Sequence, residues 1–198
     1  HPTLPHPHVR TASPTTGDAT GLGTRDLLAT SLTLAAAFTL LHHRLAGTTH
    51  LTAVLWLAAT GTPLMITDWT CHRLPTHLVT ATFCGGIALL GLTAATTNQT
   101  AALGRALAAS AAVSAIALTV ALAAPHALGA GDVRLLGAVA PYLGWVGWSQ
   151  VIRGAVLALL LAATAGTVLL AAGRLARGDP LAFGPAVIGG ALLSLVLP

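Results

Sequence analysis

The sequence predicts an all-α protein, a polytopic transmembrane helix bundle of about seven spans. Three observations predict it. Only 7% of the residues are charged and 55% are hydrophobic, whereas a soluble domain carries about 25% charged residues. The mean hydropathy is +0.81. The chain also divides into seven apolar runs, most of them near the ~20 residues that cross a ~30 Å hydrocarbon core.

Residues 1–25 (HPTLPHPHVRTASPTTGDATGLGTR) are rich in Pro, Thr, His and Gly and have no apolar period. They are expected to form a disordered tail, followed by one membrane domain over 26–198. His1, His6 and His8 read as solvated tail residues. The tail is no signal peptide, because it lacks an apolar core before a small-residue cleavage site. The seven spans are expected at about 26–42, 50–67, 76–95, 101–124, 133–148, 150–173 and 182–197. Gly61 and Pro63 in the second predict a local bend. The fifth is short and holds Pro141 and several glycines, which predicts a tilt, a kink or incomplete crossing. Ala, Leu, Thr and Gly supply most of the remainder and suit close helix packing in lipid. Tyr142, Trp145 and Trp148, near the end of the fifth span, read as interfacial anchors.

The net charge of +4 comes from nine basic residues, all Arg. They are scattered singly between apolar runs, so nucleic acid is not their expected partner. The positive-inside rule orients the bundle instead. With the N-terminus inside, Arg10, Arg25, Arg73, Arg134, Arg174 and Arg177 fall on the cytoplasmic side, and Arg44, Arg105 and Arg153 outside. The sites at 68 and 132 then share the cytoplasmic boundary.

All five acidic residues are Asp. Asp68 and Asp132 stand at the edges of apolar runs, where an ionisable group costs roughly 2.5–3.5 kcal/mol and is a functional-site hypothesis by default. Asp68 closes the second span. Helix dipole and burial there both disfavour a charged carboxylate, although position alone equally fits an interfacial residue that ends a helix. Asp132 follows Gly129 and Gly131, which permit a sharp turn. By itself it reads most simply as an N-cap, whose amide contacts ease ionisation. Environments that push two carboxyls apart suit an acid and base sharing a proton. Cys71 and Cys84 form no metal or disulfide pattern. His72, His77 and His126 read as solvated interfacial residues, so no metal or other cofactor is expected.

Three segments carry a resemblance. Asp68 to Pro75 (DWTCHRLP) looks like the D-x6-P element of the type IV prepilin peptidases. GAGDVRLL, containing Gly129, Gly131 and Asp132, looks like their GxGD element. LAFGPAVIGGAL, containing Gly184 and Pro185, looks like their PFGP segment. The resemblance covers about 68–192, with the three elements in the family's order. It implies a GxGD-type intramembrane aspartic protease with Asp68 and Asp132 as catalytic residues and Pro75, Gly129, Gly131, Gly184 and Pro185 as motif support. The implied substrate is a prepilin or pseudopilin, whose basic leader is removed at the cytoplasmic face of the plasma membrane. Some members also methylate the new N-terminus through a region with paired CxxC motifs. This chain has none, so it resembles the short peptidase-only form. Thr76, Arg134, Ala182 and Ala186 depart from the family pattern. The alternatives are a proton-coupled transporter, in which the two acids relay protons, and a non-catalytic scaffold of a pilus or secretion machine.

Overall fold

A computed structural model describes residues 38–71, 75–124, 128–173 and 183–197. Every regular element among them is a helix. The described part of α1 covers 38–45. It is followed by α2 (Leu51–Cys71), α3 (Thr76–Thr97), α4 (Thr100–Ala123), α5 (Ala130–Val146), α6 (Trp148–Ala171) and α7 (Gly184–Val196). The predicted spans from the second to the sixth coincide with α2 to α6 to within a few residues. The tail and residues 26–37 of the first predicted span lie outside the described residues.

Four helices are long and apolar enough to cross a membrane: Leu51–Trp69, Thr76–Thr97, Thr100–Ala123 and Trp148–Ala171. Two are not. At 1.5 Å per residue, the 17 residues of α5 extend about 25 Å, and the 13 residues of α7 about 20 Å. The seventh predicted span is therefore corrected to a short helix that falls well below the ~30 Å of a hydrocarbon core. Chain that leaves a helix this early must be covered by protein or reach the interface, because lipid cannot satisfy its amides and carbonyls.

The short helix α5 is the centre of the bundle. Leu135 and every residue from Gly137 to Trp145 are buried, as expected of a helix that is apolar on all sides. α4 packs along one flank and α3 along another, with α2, α6 and α7 completing the enclosure. The longer helices turn their large side chains outward. Leu92, Ile116, Leu122, Ile152, Leu159 and Val168 are all more than half exposed, which suits contact with lipid tails.

Small residues let the helices approach closely. A Cβ on Gly144 would stand 2.5 Å from the Cβ of Ala109, and one on Gly190 would stand 2.5 Å from the backbone nitrogen of Ala158. The seam between α4 and α5 also resolves a difficulty set by Pro141. Proline has no N–H, so the carbonyl of Gly137, four residues earlier, loses its helical donor. The hydroxyl of Ser110 on α4 donates to that carbonyl at 2.8 Å. On the other flank the Tyr142 hydroxyl donates to the carbonyl of Thr82 on α3 at 2.6 Å. A Cβ at Gly86 would overlap that hydroxyl, so glycine makes the room for it.

These contacts correct one expectation. Tyr142 is 1% exposed and Trp145 3%, so both are core residues of the bundle and not interfacial anchors. Trp148, at 48% exposure, keeps the anchoring position. Cys84 is a free, exposed thiol.

Candidate active site

The contact of Gly184 with Asp68 and that of Arg134 with Thr76 gather the end of α2 and the starts of α3, α5 and α7 at one end of the bundle. That end holds Asp68, Pro75, Gly129, Gly131, Asp132, Gly184 and Pro185. Residues 72–74, 125–127 and 174–182 lie outside the described residues, and His72 and His126 with them.

Asp68 stands in the last turn of α2 and is 5% exposed. Its Oδ2 accepts a hydrogen bond from the backbone N–H of Gly184 at 2.8 Å, across 116 positions of sequence. Gly184 is the first residue of α7, and Pro185 follows it. The first amides of a helix have no partner within it and carry the positive end of its dipole. Proline at the second position has no such amide to satisfy. The carboxyl of Asp68 thus meets the negative end of its own helix and the positive end of another. Sequence reasoning saw only the first of these.

Gly184 has a steric reason as well. A Cβ there would lie 2.8 Å from Oδ2 of Asp68, 3.1 Å from its Cγ and 3.2 Å from its Cβ. The third motif is therefore the surface against which the first motif's aspartate rests.

Asp132 occupies the third position of α5, and Gly129 takes the N-cap. The expectation of an N-cap aspartate is corrected by three residues. Oδ2 of Asp132 reaches back to accept the N–H of Gly129 at 3.2 Å. This is half of a capping box, because glycine has no side chain to return the bond. The cap φ of −77° and ψ of 154° are ordinary extended values. Among the described residues, Gly47 and Gly173 are the glycines with positive φ, so neither Gly129 nor Gly131 uses the left-handed freedom of glycine.

The electrostatics of Asp132, one residue before the predicted fifth span, run against the sequence expectation. Burial pushes its carboxyl above the ordinary value of 3.8, the Gly129 N–H pulls the other way, and the charge of Asp68 adds to the rise. Desolvation outweighs the cap. Asp132 holds its proton more tightly than a free carboxyl does.

Pro75 is the N-cap of α3, with φ −63° and ψ 119°. The carbonyl of Pro75 accepts the N–H of Leu78 at 3.0 Å. Thr76 and Arg134, two of the departures from the family pattern, face each other: Arg134 Nη1 lies 3.5 Å from the Thr76 hydroxyl oxygen. Trp69, beside Asp68, is 55% exposed. His77 is exposed, and the described residues contain no group of three or more His, Cys, Asp or Glu able to hold a metal.

One residue at the opposite end was placed by the sequence reading but given no role there. Arg105, in the second turn of α4, donates from Nε to the carbonyl of Gly144 at 2.9 Å and from Nη2 to the carbonyl of Trp145 at 2.6 Å. Those carbonyls end α5. The only sequence signal was its misfit: an arginine on the side that the positive-inside rule leaves poor in arginine.

No curated protein and no solved structure matches the chain. A family model described as the type IV leader peptidase family matches residues 51–171. The matched stretch contains Asp68, Pro75, Gly129, Gly131 and Asp132 and stops before Gly184. It covers more than half of the chain, so this membrane protein of apolar helices belongs to the type IV leader peptidase family, and its activity is that of a peptidase.

Proposed function

We propose that the chain is an aspartic endopeptidase in which Asp68 and Asp132 form the catalytic pair. The observation that carries this reading is the gathering of both aspartates at one end of the bundle, Asp68 against the start of α7 and Asp132 in the first turn of α5. Asp132, with its raised affinity for a proton, is the acid that polarises the scissile carbonyl. Asp68, with Oδ2 engaged by Gly184, presents its other oxygen to a water and takes its proton as that water attacks. The tetrahedral intermediate then collapses, and the departing amine takes a proton from the pair. No cofactor enters this scheme.

The substrate is a prepilin or pseudopilin with a basic leader ahead of an apolar helix. The family and the ordered motifs support this choice, and the arginine bias supports cleavage at the cytoplasmic face of the plasma membrane. The peptidase domain is 26–198, with 1–25 as a tail. Pro75, Gly129 and Gly131 shape the helix starts that carry the site, and Gly184 and Pro185 form its wall. The test is leader cleavage of a co-expressed prepilin by Asp68→Asn and Asp132→Asn. Each variant is expected to accumulate in the membrane and to leave the leader intact. Full cleavage by either one removes the aspartyl mechanism.

A further inference from the structure

What sets the depth of α5 decides where Asp132 stands. A transmembrane helix is ordinarily held by the match of its length to the hydrocarbon core and by aromatic or basic anchors at its ends. Length does not hold α5, and its exposed basic residue, Arg134, lies near its start and leaves the far end without such an anchor. Its 17 residues make about 25 Å, less than a full crossing. Its aromatic residues Tyr142 and Trp145 point into protein. Continuous burial from Gly137 to Trp145 leaves lipid little surface to grip.

Packing contributes to the axial register: Tyr142 fills the room left by Gly86 on α3, and the α4 seam brings Gly137 and Gly144 against Ser114, Ala106 and Ala109. In lipid no hydrophobic effect adds to that packing. Directional hydrogen bonds remain. Ser110 and Tyr142 supply one each along the shaft. Arg105 supplies two at the end, through the fork of one guanidinium. It satisfies last-turn carbonyls that lack helical donors, and its charge complements the negative end of the dipole. A membrane-embedded guanidinium is costly unless protein receives it in this way.

We propose that Arg105 is a positioning residue of the peptidase: by capping the far end of α5 it sets the depth at which that helix presents Asp132 to Asp68. The inference rests on the reading of those two aspartates as the catalytic pair. Thirteen residues of helix separate positions 132 and 145, about 20 Å at 1.5 Å per residue. Helix α5 is continuous between these positions although Pro141 removes one of its backbone bonds, so a slip at the cap is carried along the helix to the carboxyl. Misplacement of a reacting group by ~1 Å costs on the order of 100-fold in rate.

The experiment compares R105A and R105K with the parent enzyme, purified in detergent, on a prepilin substrate. A second readout is independent of catalysis. Spin labels at positions 118 on α4 and 146 on α5, both exposed, report the register of the two helices in a background lacking Cys71 and Cys84. The expected result for R105A is a kcat lower by about 10- to 100-fold, an unchanged KM and a shifted or broadened 118–146 distance. R105K, with a donor and a charge but no fork, recovers part of both. Unchanged kcat in folded R105A overturns the proposal, and so does lost activity with an unchanged label distance. If R105A does not accumulate, R105Q takes its place under the same two criteria. D68N and D132N are run alongside. Full cleavage by either removes the aspartyl reading and this inference with it, whereas inactive aspartate variants beside a fully active R105A remove this inference alone.

Discussion

Adding one methyl group at Gly184 isolates the contact between the third motif and Asp68. In Gly184→Ala the new carbon would stand 3.1 Å from Cγ and 3.2 Å from Cβ of Asp68. Carbon atoms settle at about 3.5–4.0 Å, so the carboxyl must recede by roughly half an ångström. Gly184 opens α7, and its backbone is held by the helix it starts. Asp68 is itself buried in the last turn of α2, so the movement falls on its side chain. The 2.8 Å bond from the Gly184 N–H to Oδ2 is then stretched or broken. A hydrogen bond to a carboxylate is worth about 1.5–3 kcal/mol. At about 1.4 kcal/mol per tenfold, kcat/KM should fall by about 10- to 160-fold. Gly104→Ala is the matched control. It lies in α4, where an added Cβ meets nothing within 4 Å, and alanine is favoured over glycine in a helix by about 1 kcal/mol. The assay is the initial rate of leader removal, with thermal unfolding of both variants measured in the same detergent. A Gly184→Ala enzyme that matches the parent while Gly104→Ala also does would refute the idea that α7 braces Asp68.

Further outcomes follow from other contacts. Ser110→Ala should lower stability by about 1–3 kcal/mol by stranding the Gly137 carbonyl; the loss should shrink in a Pro141→Ala background, where position 141 has an N–H of its own, and a double-mutant cycle by detergent unfolding reads the difference. The cleavage rate should be bell-shaped in pH, failing at acid pH when both carboxyls are protonated and at alkaline pH when Asp132 gives up its proton; a rate flat far into alkaline pH would leave no place for a shared proton. The raised affinity of Asp132 for its proton also has a sign in stability. The folded state binds the proton more tightly than the unfolded one, so stability falls as pH rises from the ordinary value of 3.8 through the folded one, and Asp132→Asn should flatten that slope. An impermeant thiol reagent should label Thr70→Cys from the cytoplasmic side and not from outside, in a background without Cys71 and Cys84.

The helices were legible because hydropathy is summed over some twenty residues and tolerates local error. The bounds of α2, α3, α4 and α6 follow from that sum alone. What escaped depends on direction around a helix. Tyr142 and Trp145 stand at a span end, where an aromatic looks the same in sequence whether it faces headgroups or another helix. Burial on every side of α5 comes from its neighbours, and nothing local announces it. Asp132 was expected to begin its helix, yet Gly129 does so. The first turn offers both positions an amide to bind, and sequence does not choose between them. The pairing of Asp68 with Gly184 spans 116 positions. The order of the motifs placed them at one face, but only the fold supplies the contact that sets the environment of Asp68.

Trp56, Arg105, Ser110 and Tyr142 each reach another helix, and each ends on a backbone carbonyl, those of Ala81, Gly144 and Trp145, Gly137 and Thr82 respectively. Half of every such contact is therefore exempt from mutation, since any residue type brings a carbonyl. A substitution at Ala81 or Thr82 that preserves the helix and fits the space leaves the acceptor in place. Only the donor must be kept. The bundle can thus drift in sequence on the acceptor side while its helix pairs stay joined. Residues that touch across these helices need not change in concert, and a search for paired substitutions would pass over the bonds that align them.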